Sequence, residues 1–326
     1  MRPLLIAEAP LAVPRWVTPL AGGRWLAHHP KDRSATVLDA GLRLVTRIDL
    51  PVTAQQCRVS VNERHLAAIT HDELVVCDLS GTTLWRLRHT IETGGLPNEP
   101  NCHLDIQGTL WVYLPDGDDL VAYDAATGEE IDRARLKSSV GAAYFHPHPD
   151  RKRLGFHVAM GQDTPLNHLA WLADGRIQGR SLPGGFLGGL TSDGDRYLAL
   201  PHDDVPEISI RDLATGAIMA ACDPAEVAGD SGYRLMEAAA LVSDDFVLVA
   251  VSTDDWGDDF EEHLLLATRN LRRQAGVDYG IDMAQNAITA TDGRGRWLTG
   301  GRDATVRLWQ LPDRVTDEVP GQLDLW

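Results

Sequence analysis

Long apolar runs are missing from this sequence. No stretch approaches the roughly 18 to 20 apolar residues that a helix needs to span a bilayer. Near the N-terminus, Glu8 and Pro10 interrupt a short apolar run before it reaches the roughly 7 to 15 residues of a signal-peptide core. We therefore expect a cytoplasmic protein that makes no membrane contact.

Cysteine is also scarce, and the sequence has no C-x-x-C pair. The four cysteines are Cys57, Cys77, Cys102 and Cys222. Their wide spacing favours small buried side chains over a disulfide framework or a zinc site. The phosphate-loop motif G-x-x-x-x-G-K-[ST], the zinc motif H-E-x-x-H and the nucleophile motif G-x-S-x-G are all missing. We therefore assign no catalytic residue and expect no cofactor.

Positive charge is in deficit. The chain has 30 Lys and Arg against 47 Asp and Glu, which gives a net charge of −17. Binding to a nucleic-acid backbone depends on clustered cations, so nucleic acid is not an expected partner. Aromatic residues make up only 6% of the chain, but 44% is hydrophobic and 24% is charged. This composition is typical of a globular protein with a packed core.

A repeated pattern of strands and turns occupies nearly the whole chain. The stretches YDAATGEEI (123–131) and RDLATGAIM (211–219) share an Asp after an apolar run and a Gly that closes the turn. Looser copies occur at 37–48, 76–87 and 171–180. A second pattern, an apolar run followed by an acidic turn, occurs seven times. Its turns are marked, at intervals of 40 to 51 residues, by Asp32, Asp72, Asp116, Asp163, Asp203, Asp254 and Asp303. This period is near that of four-stranded propeller blades.

These repeats predict an all-β fold, a seven-bladed β-propeller of four-stranded antiparallel blades in a single domain, 1–326. A lone sheet cannot bury both of its faces, whereas radial stacking of seven sheets covers them. The predicted blades are 14–50, 56–90, 102–137, 141–182, 186–222, 235–278 and 286–311, followed by a tail at 312–326. The last unit lacks a fourth strand. We expect residues 3–9 to supply it by pairing with 305–311, because Pro320 makes the alternative segment 317–326 a poorer strand.

The segment RWLTGGRDATVRLWQL (296–311) resembles a WD-repeat blade. The resemblance implies that Thr299 takes the family's Ser/Thr position in the second strand, Asp303 the tight-turn Asp and Trp309 the third-strand Trp. Gln310 replaces the Asp that gives the family its name, and no Gly-His precedes this blade. The family's buried network of His, Ser/Thr, Trp and Asp is therefore incomplete in this blade. The other six units mostly lack the Trp.

Surplus carboxylates mark the connections between second and third strands, which line one rim in this kind of propeller. One Asp per turn is explained by hydrogen bonds to the backbone of its own turn. The turn at Asp116, Asp118 and Asp119 has more than one, and so do the connections that contain the predicted partner-binding residues. These residues are Asp203, Asp204, Asp254, Asp255, Trp256, Asp258 and Asp259. The surplus predicts a partner with a basic surface, with plain solvation as the alternative. The tryptophan either anchors a partner or folds back onto its own blade.

Four residues at or beside these turns have side chains suited to metal binding or acid–base chemistry: His29, His71, Asp72 and His202. Imidazole and carboxylate groups are common metal ligands, and radial symmetry brings the turns of different blades onto one rim. The competing interpretation is that these are ordinary solvent-facing turn residues.

The sequence thus predicts a non-catalytic, acidic protein-interaction scaffold that binds another protein through the rim with the acidic loops. The alternative is a propeller enzyme, a lyase or hydrolase, or a small-ligand or metal-binding protein that uses His and Asp at the mouth of the central channel.

Overall fold

The computed structural model describes residues 1–11, 16–29, 33–52, 57–89, 91, 99–136, 141–160, 163–202, 205–228, 233–253, 261–281, 287–300 and 303–315. This part of the chain is nearly all β, with 28 strands in seven four-stranded antiparallel sheets. A short helix α1 (Pro224–Ala228) follows the fifth sheet. Among the described residues, no helix combines the length and the apolar character that a bilayer crossing requires.

From the second strand onwards the strands follow each other along the chain, and each consecutive set of four forms one of the first six blades. The first strand, β1 (Leu4–Pro10), precedes blade 1. Blade 1 contains β2 (Trp16–Pro19), β3 (Trp25–His28), β4 (Ser34–Leu38) and β5 (Leu44–Asp49). Blade 2 contains β6 (Arg58–Val61), β7 (His65–Ile69), β8 (Glu73–Asp78) and β9 (Thr83–Arg88). Blade 3 contains β10 (Asn101–Leu104), β11 (Thr109–Leu114), β12 (Asp119–Asp124) and β13 (Glu130–Arg135). Blade 4 contains β14 (Ala142–Pro147), β15 (Arg153–Met160), β16 (Asp163–Ala173) and β17 (Arg176–Leu182).

The remaining three blades continue the same order. Blade 5 contains β18 (Phe186–Leu190), β19 (Arg196–Leu200), β20 (Ile208–Asp212) and β21 (Ile218–Cys222). Blade 6 contains β22 (Tyr233–Leu241), β23 (Phe246–Thr253), β24 (Glu261–Ala267) and β25 (Arg273–Gly276). Blade 7 contains β26 (Ala287–Thr291), β27 (Arg296–Gly300) and β28 (Thr305–Gln310). Its fourth strand is β1, which pairs antiparallel with β28. The predicted propeller and its closure by an N-terminal strand are thus confirmed.

Burial explains why some strands are continuous apolar runs and others are mixed. The third strand of blade 2, β8, is buried along nearly its whole length, because both faces of its sheet pack against neighbouring blades. The outer strand β9 is exposed at most positions and carries Thr83, Arg86 and Arg88. The sequence pattern of apolar middle strands and mixed outer strands therefore follows from the radial stacking of the sheets.

The hydrophobic core is divided into seven clusters, and each cluster lies between two adjacent blades. The cluster between blades 1 and 2, for example, joins Leu26 and Ile48 to Leu66 and Val75. The other six clusters follow in order around the ring, and the last joins blade 7 to blade 1. Each blade buries its apolar residues only against its neighbours, so the interfaces between adjacent blades contribute most of the packing energy of the fold.

Ring closure is reinforced beyond the strand pairing. The Met1 amino group donates to Gly276 O at 2.7 Å, and Asp278 N donates to Met1 O at 2.9 Å. The Arg2 guanidinium forms an ion pair with Asp278 at 2.7 Å. The segment before β1 therefore attaches blade 7 to the last strand of blade 6.

The two faces of the ring carry different connections. We call front face the side with the turns between second and third strands and the links between blades. In the sequence, second and third strands are connected by residues 29–33, 70–72, 115–118, 161–162, 201–207, 254–260 and 301–304, of which 30–32, 161–162, 203–204, 254–260 and 301–302 lie outside the described residues. We call back face the side with the turns between first and second strands, and with the hairpins between third and fourth strands.

Candidate functional site

The acidic turn of blade 3 engages two of its three carboxylates within the protein. Asp116 is exposed, but Asp118 is buried and accepts a hydrogen bond from the Tyr113 hydroxyl at 3.3 Å. Asp119 forms an ion pair with Arg133 at 3.0 Å. Two of these three carboxylates thus have structural roles, so the surplus seen in the sequence does not measure free charge at this turn.

The predicted partner-binding residues lie outside the described residues. They are Asp203, Asp204, Asp254, Asp255, Trp256, Asp258 and Asp259. The strands that flank them are described: β19 ends at Leu200 and β20 begins at Ile208, while β23 ends at Thr253 and β24 begins at Glu261.

The four residues predicted for metal or acid–base chemistry lie on or beside front-face turns. His29 follows β3 and His71 precedes β8, and both are partly buried. Asp72 is exposed, and its backbone N–H donates to Thr70 Oγ1 at 3.1 Å. His202 forms an isolated bridge with Val205. Over the described ranges, no group of three or more His, Cys, Asp and Glu side chains is arranged to hold a metal ion. These four residues therefore do not form a three-ligand site, and an acid–base role for them stays a prediction.

A row of histidine and aromatic rings between blades 4 and 5 was not singled out from the sequence. His157 stacks on Tyr144 with ring centroids 4.9 Å apart and on His146 at 5.5 Å. Phe186 contacts His157 and His202 edge to face, at 5.5 and 5.3 Å. The signal for this row was in the sequence, because Tyr144 and His146 are two residues apart on β14 and share one side of the sheet.

Burial makes several of these histidines poor bases. It lowers the pKa of His146 to about 4, and it holds the pKa of His157 well below its usual range, with the nearby His146 as a smaller cause. His103 and His168 have their pKa values lowered to about 4, also by burial. These imidazoles are therefore neutral at neutral pH; His157 is buried, whereas His103, His146 and His168 are partly exposed.

The WD-like blade has a buried hydrogen bond between the two residues that its resemblance singled out. Trp309 Nε1 donates to Thr299 Oγ1 at 2.9 Å, and both side chains are fully buried. Asp303 lies at the turn between them and forms an ion pair with Arg307. Tyr279 also contacts Trp309: their ring centroids lie 4.7 Å apart, and the Tyr279 hydroxyl accepts a hydrogen bond from Trp297 Nε1 at 3.1 Å. This contact could not be predicted from the blade motif, because Tyr279 precedes Trp309 by 30 residues and lies in the connection after blade 6.

A cavity of about 800 Å³ opens on the axis at the back face. All seven first strands or their turns line it, and it extends outwards between blades 1 and 2 towards Val45 and Leu79. Its apolar surface includes Leu26, Leu104 and Leu241. This volume lies within the range of about 300 to 1,000 Å³ that is usual for small-molecule sites.

The fold and these features define a seven-bladed β-propeller with an axial cavity that opens on its back face. No protein-family model matches the sequence, and no curated protein is significantly similar to it.

Several solved structures share this fold. The β-propeller domain of Cps50 (Swd1) from Myceliophteria thermophila superposes with a TM-score of 0.63 at 10% identity, covering 95% of this chain and all of that one. A chain of a mitotic checkpoint complex superposes with a TM-score of 0.59 at 12% identity, and the match covers 95% of this chain and 96% of that one. Virginiamycin B lyase from Staphylococcus aureus superposes with a TM-score of 0.60 at 12% identity, and the match covers 94% of this chain and 98% of that one. Identities this low establish the likeness of fold alone, and the fold hosts both complex subunits and an enzyme.

Proposed function

We propose that this propeller, of WD-repeat type, is a non-catalytic interaction scaffold in the cytoplasm, which binds another protein with a basic surface through its front face. The observation that carries the proposal is the concentration of six aspartates in two connections, 201–207 and 254–260, whose flanking strands end on the same side of the ring. Like charges so close together repel each other, and a cationic partner removes that repulsion.

Two further points support the proposal. The blade 3 turn shows that surplus carboxylates can be used internally, but it does so with a nearby arginine, Arg133. In the stretch STDDWGDDFEEH (252–263), Glu262 pairs with Arg273 of the outer strand at 4.0 Å. The stretch itself contains four Asp residues but no Lys or Arg, and it carries Trp256, a residue type that often anchors interfaces. Among the proteins with a similar fold, one is a chain of a mitotic checkpoint complex, which is an assembly of several proteins.

A propeller enzyme, a lyase or hydrolase, or a metal-binding protein is the second candidate. The observation that favours it is His202, which has a buried ring nitrogen, Nδ1, without a hydrogen-bond partner within the described part of the chain. Virginiamycin B lyase, a lyase by its name, has the same fold.

A comparison of two double variants tests the scaffold function. Trp256→Ala with Asp255→Ala alters the proposed front-face site, whereas Leu44→Ala with Asp195→Ala removes an exposed apolar group and an exposed carboxylate elsewhere. We expect pull-down and mass spectrometry to recover a basic partner with wild type and with the control variant. The front-face variant should recover it at least about tenfold less well, because truncation of an anchor residue costs 2 kcal/mol or more.

Salt dependence provides the second readout. Recovery of the partner should fall steeply as ionic strength rises, since exposed charges are screened within about 8 Å at physiological salt. Equal recovery by all three proteins, or recovery that salt does not change, contradicts the proposed site.

A further inference from the structure

We infer that the axial cavity on the back face is a binding site for a small organic anion with an apolar body, such as an aromatic or aliphatic carboxylate. The cavity lies on the opposite side of the ring from the proposed partner site. A failure of the scaffold proposal would therefore leave the cavity proposal untouched, and the reverse also holds.

The charge of the cavity lining is opposite to that of the chain. Its residues include five cations, Arg24, Arg151, Lys152, Arg153 and Arg294, against three acids, Glu63, Asp105 and Asp292. In the whole chain the acids outnumber the cations by 47 to 30. A cleft lined mainly by one sign of charge raises the local concentration of ligands with the opposite charge.

Two of the three acids are already engaged by the protein. Asp105 accepts hydrogen bonds from the backbone N–H groups of Gln107 and Thr109, both at 2.8 Å, and from Trp111 Nε1 at 3.3 Å. Asp292 is paired with Arg296 at 2.7 Å. Their charges are therefore partly compensated before any ligand arrives.

Most of the cations that line the cavity have no ion pair with a carboxylate of the described residues. Arg153 pairs with Asp150 at 2.7 Å, and Arg24 Nε donates to the carbonyl of Ala21 at 3.2 Å. Within the described ranges, no carboxylate lies within ion-pair distance of Arg24, Arg151, Lys152 or Arg294. Since all of them line one cavity, these side chains are available to an anionic group at its mouth.

Below the mouth, the cavity changes from charged to apolar. Leu104, Leu154, Leu190 and Leu241 come from four consecutive blades and supply aliphatic surface around the axis. Phe145 and His146 add ring surface, and burial keeps His146 neutral by lowering its pKa to about 4. An apolar body thus fits the interior and an anionic group fits the rim, which fixes the orientation of the ligand.

Fluorescence titration with 1-pyrenebutyrate tests the inference, with the neutral analogue 1-pyrenebutanol as the matched probe. We expect saturable binding of the acid that weakens with added salt, and weaker binding of the alcohol. The variant Arg151→Asn with Lys152→Ser should raise the Kd of the acid by about fivefold, because two partly exposed charge contacts are lost. Asn is chosen at position 151 because Arg151 has a φ of 59°, which Asn tolerates.

The control variant Arg269→Ser with Arg272→Ser removes two exposed cations from the same face but outside the cavity, and it should bind as wild type does. Ala240→Phe should weaken both probes by occupying the interior, with a melting curve to confirm folding. Equal affinity for acid and alcohol, an equal loss in the control variant, or no saturable binding up to about 1 mM overturns the inference.

Discussion

At the scale of single residues, the repeated Asp and Gly positions have a structural function. In the hairpin of blade 3, Asp124 Oδ1 accepts hydrogen bonds from the backbone N–H groups of Ala126 and Thr127 at 2.9 and 2.8 Å. Gly128 closes the turn with a φ of 77°, in the left-handed region that other residues adopt only with strain. Asp212 and Gly216 repeat this arrangement in blade 5. These two stretches are therefore a repeated turn, and the sequence was sufficient to predict it because every contact is local.

Gly128 and Gly175 form a matched pair that separates backbone strain from packing. Both have a positive φ, but an added Cβ at Gly128 lies 2.8 Å from Trp85 of the neighbouring blade, whereas nothing lies within 4 Å at Gly175. We expect Gly175→Ala to destabilise the fold by about 1 to 2 kcal/mol, which is the cost of a left-handed Ala. Gly128→Ala should cost at least about 1 kcal/mol more, because Trp85 must also move. Urea denaturation of the two variants measures the difference, and equal losses would show that the neighbouring blade yields freely.

At the scale of strands and blades, features that depend on neighbouring residues could be predicted from the sequence, whereas contacts between residues far apart in the chain could not. Apolar runs and acidic turns predicted the blades, because strand periodicity and turn chemistry are properties of neighbouring residues. The links between blades are different. Asn62 Nδ2 donates to Asp105 O at 2.9 Å, and Thr291 Oγ1 donates to Leu241 O at 3.0 Å, 43 and 50 residues apart in sequence. No pattern within one repeat contains such a contact, and the row of histidine rings and the axial cavity were missed for the same reason.

Removal of residues 1–10 should strongly destabilise the propeller. It eliminates the fourth strand of blade 7 together with the Met1 and Arg2 contacts to blade 6, and it exposes the edge of β28. We expect a fall of more than about 10 °C in the melting temperature, because a loss of several kcal/mol shifts a domain of this size by roughly 2 to 4 °C per kcal/mol.

Point variants in β1 provide the control for that deletion. Ala9→Asp places a charge in the interface between blades 7 and 1, whereas Leu5→Asp alters a position that is 47% exposed. The first should lower the melting temperature far more than the second. An unchanged melting temperature in the deletion variant would mean that β1 does not hold the ring closed.

At the scale of the whole molecule, buried histidines make stability depend on pH. Burial lowers the pKa values of His103, His146 and His168 to about 4, and that of His157 still further. In the unfolded chain these groups have a pKa near 6.5. Between about pH 6.5 and 4 the unfolded state therefore binds more protons than the folded state, so stability falls as the pH is lowered through this range.

We expect the free energy of unfolding to change little between about pH 7 and pH 8 and to drop by several kcal/mol between pH 7 and pH 5. Each histidine contributes a slope of up to about 1.4 kcal/mol per pH unit. Asp124 and Asp212, whose pKa values are lowered mainly by hydrogen bonds within their turns, add a further loss only below about pH 4. Urea denaturation across this pH range gives the number of protons taken up. A curve that is flat from pH 7 to pH 5 would show that these histidines are not buried as described.

The pairing of β1 with β28 also has a consequence for the order of events during synthesis. Strand β1 has its partner about 300 residues later in the chain, at Thr305–Gln310. Until the ribosome has released that segment, Leu4, Leu5 and Ile6 have no sheet to join. Blades 1 to 6 can stack as they emerge, since each finds its neighbour within one repeat. The final closing step thus joins two segments about 300 residues apart, and a nascent propeller remains an open arc with a free edge until Thr305–Gln310 has emerged from the ribosome.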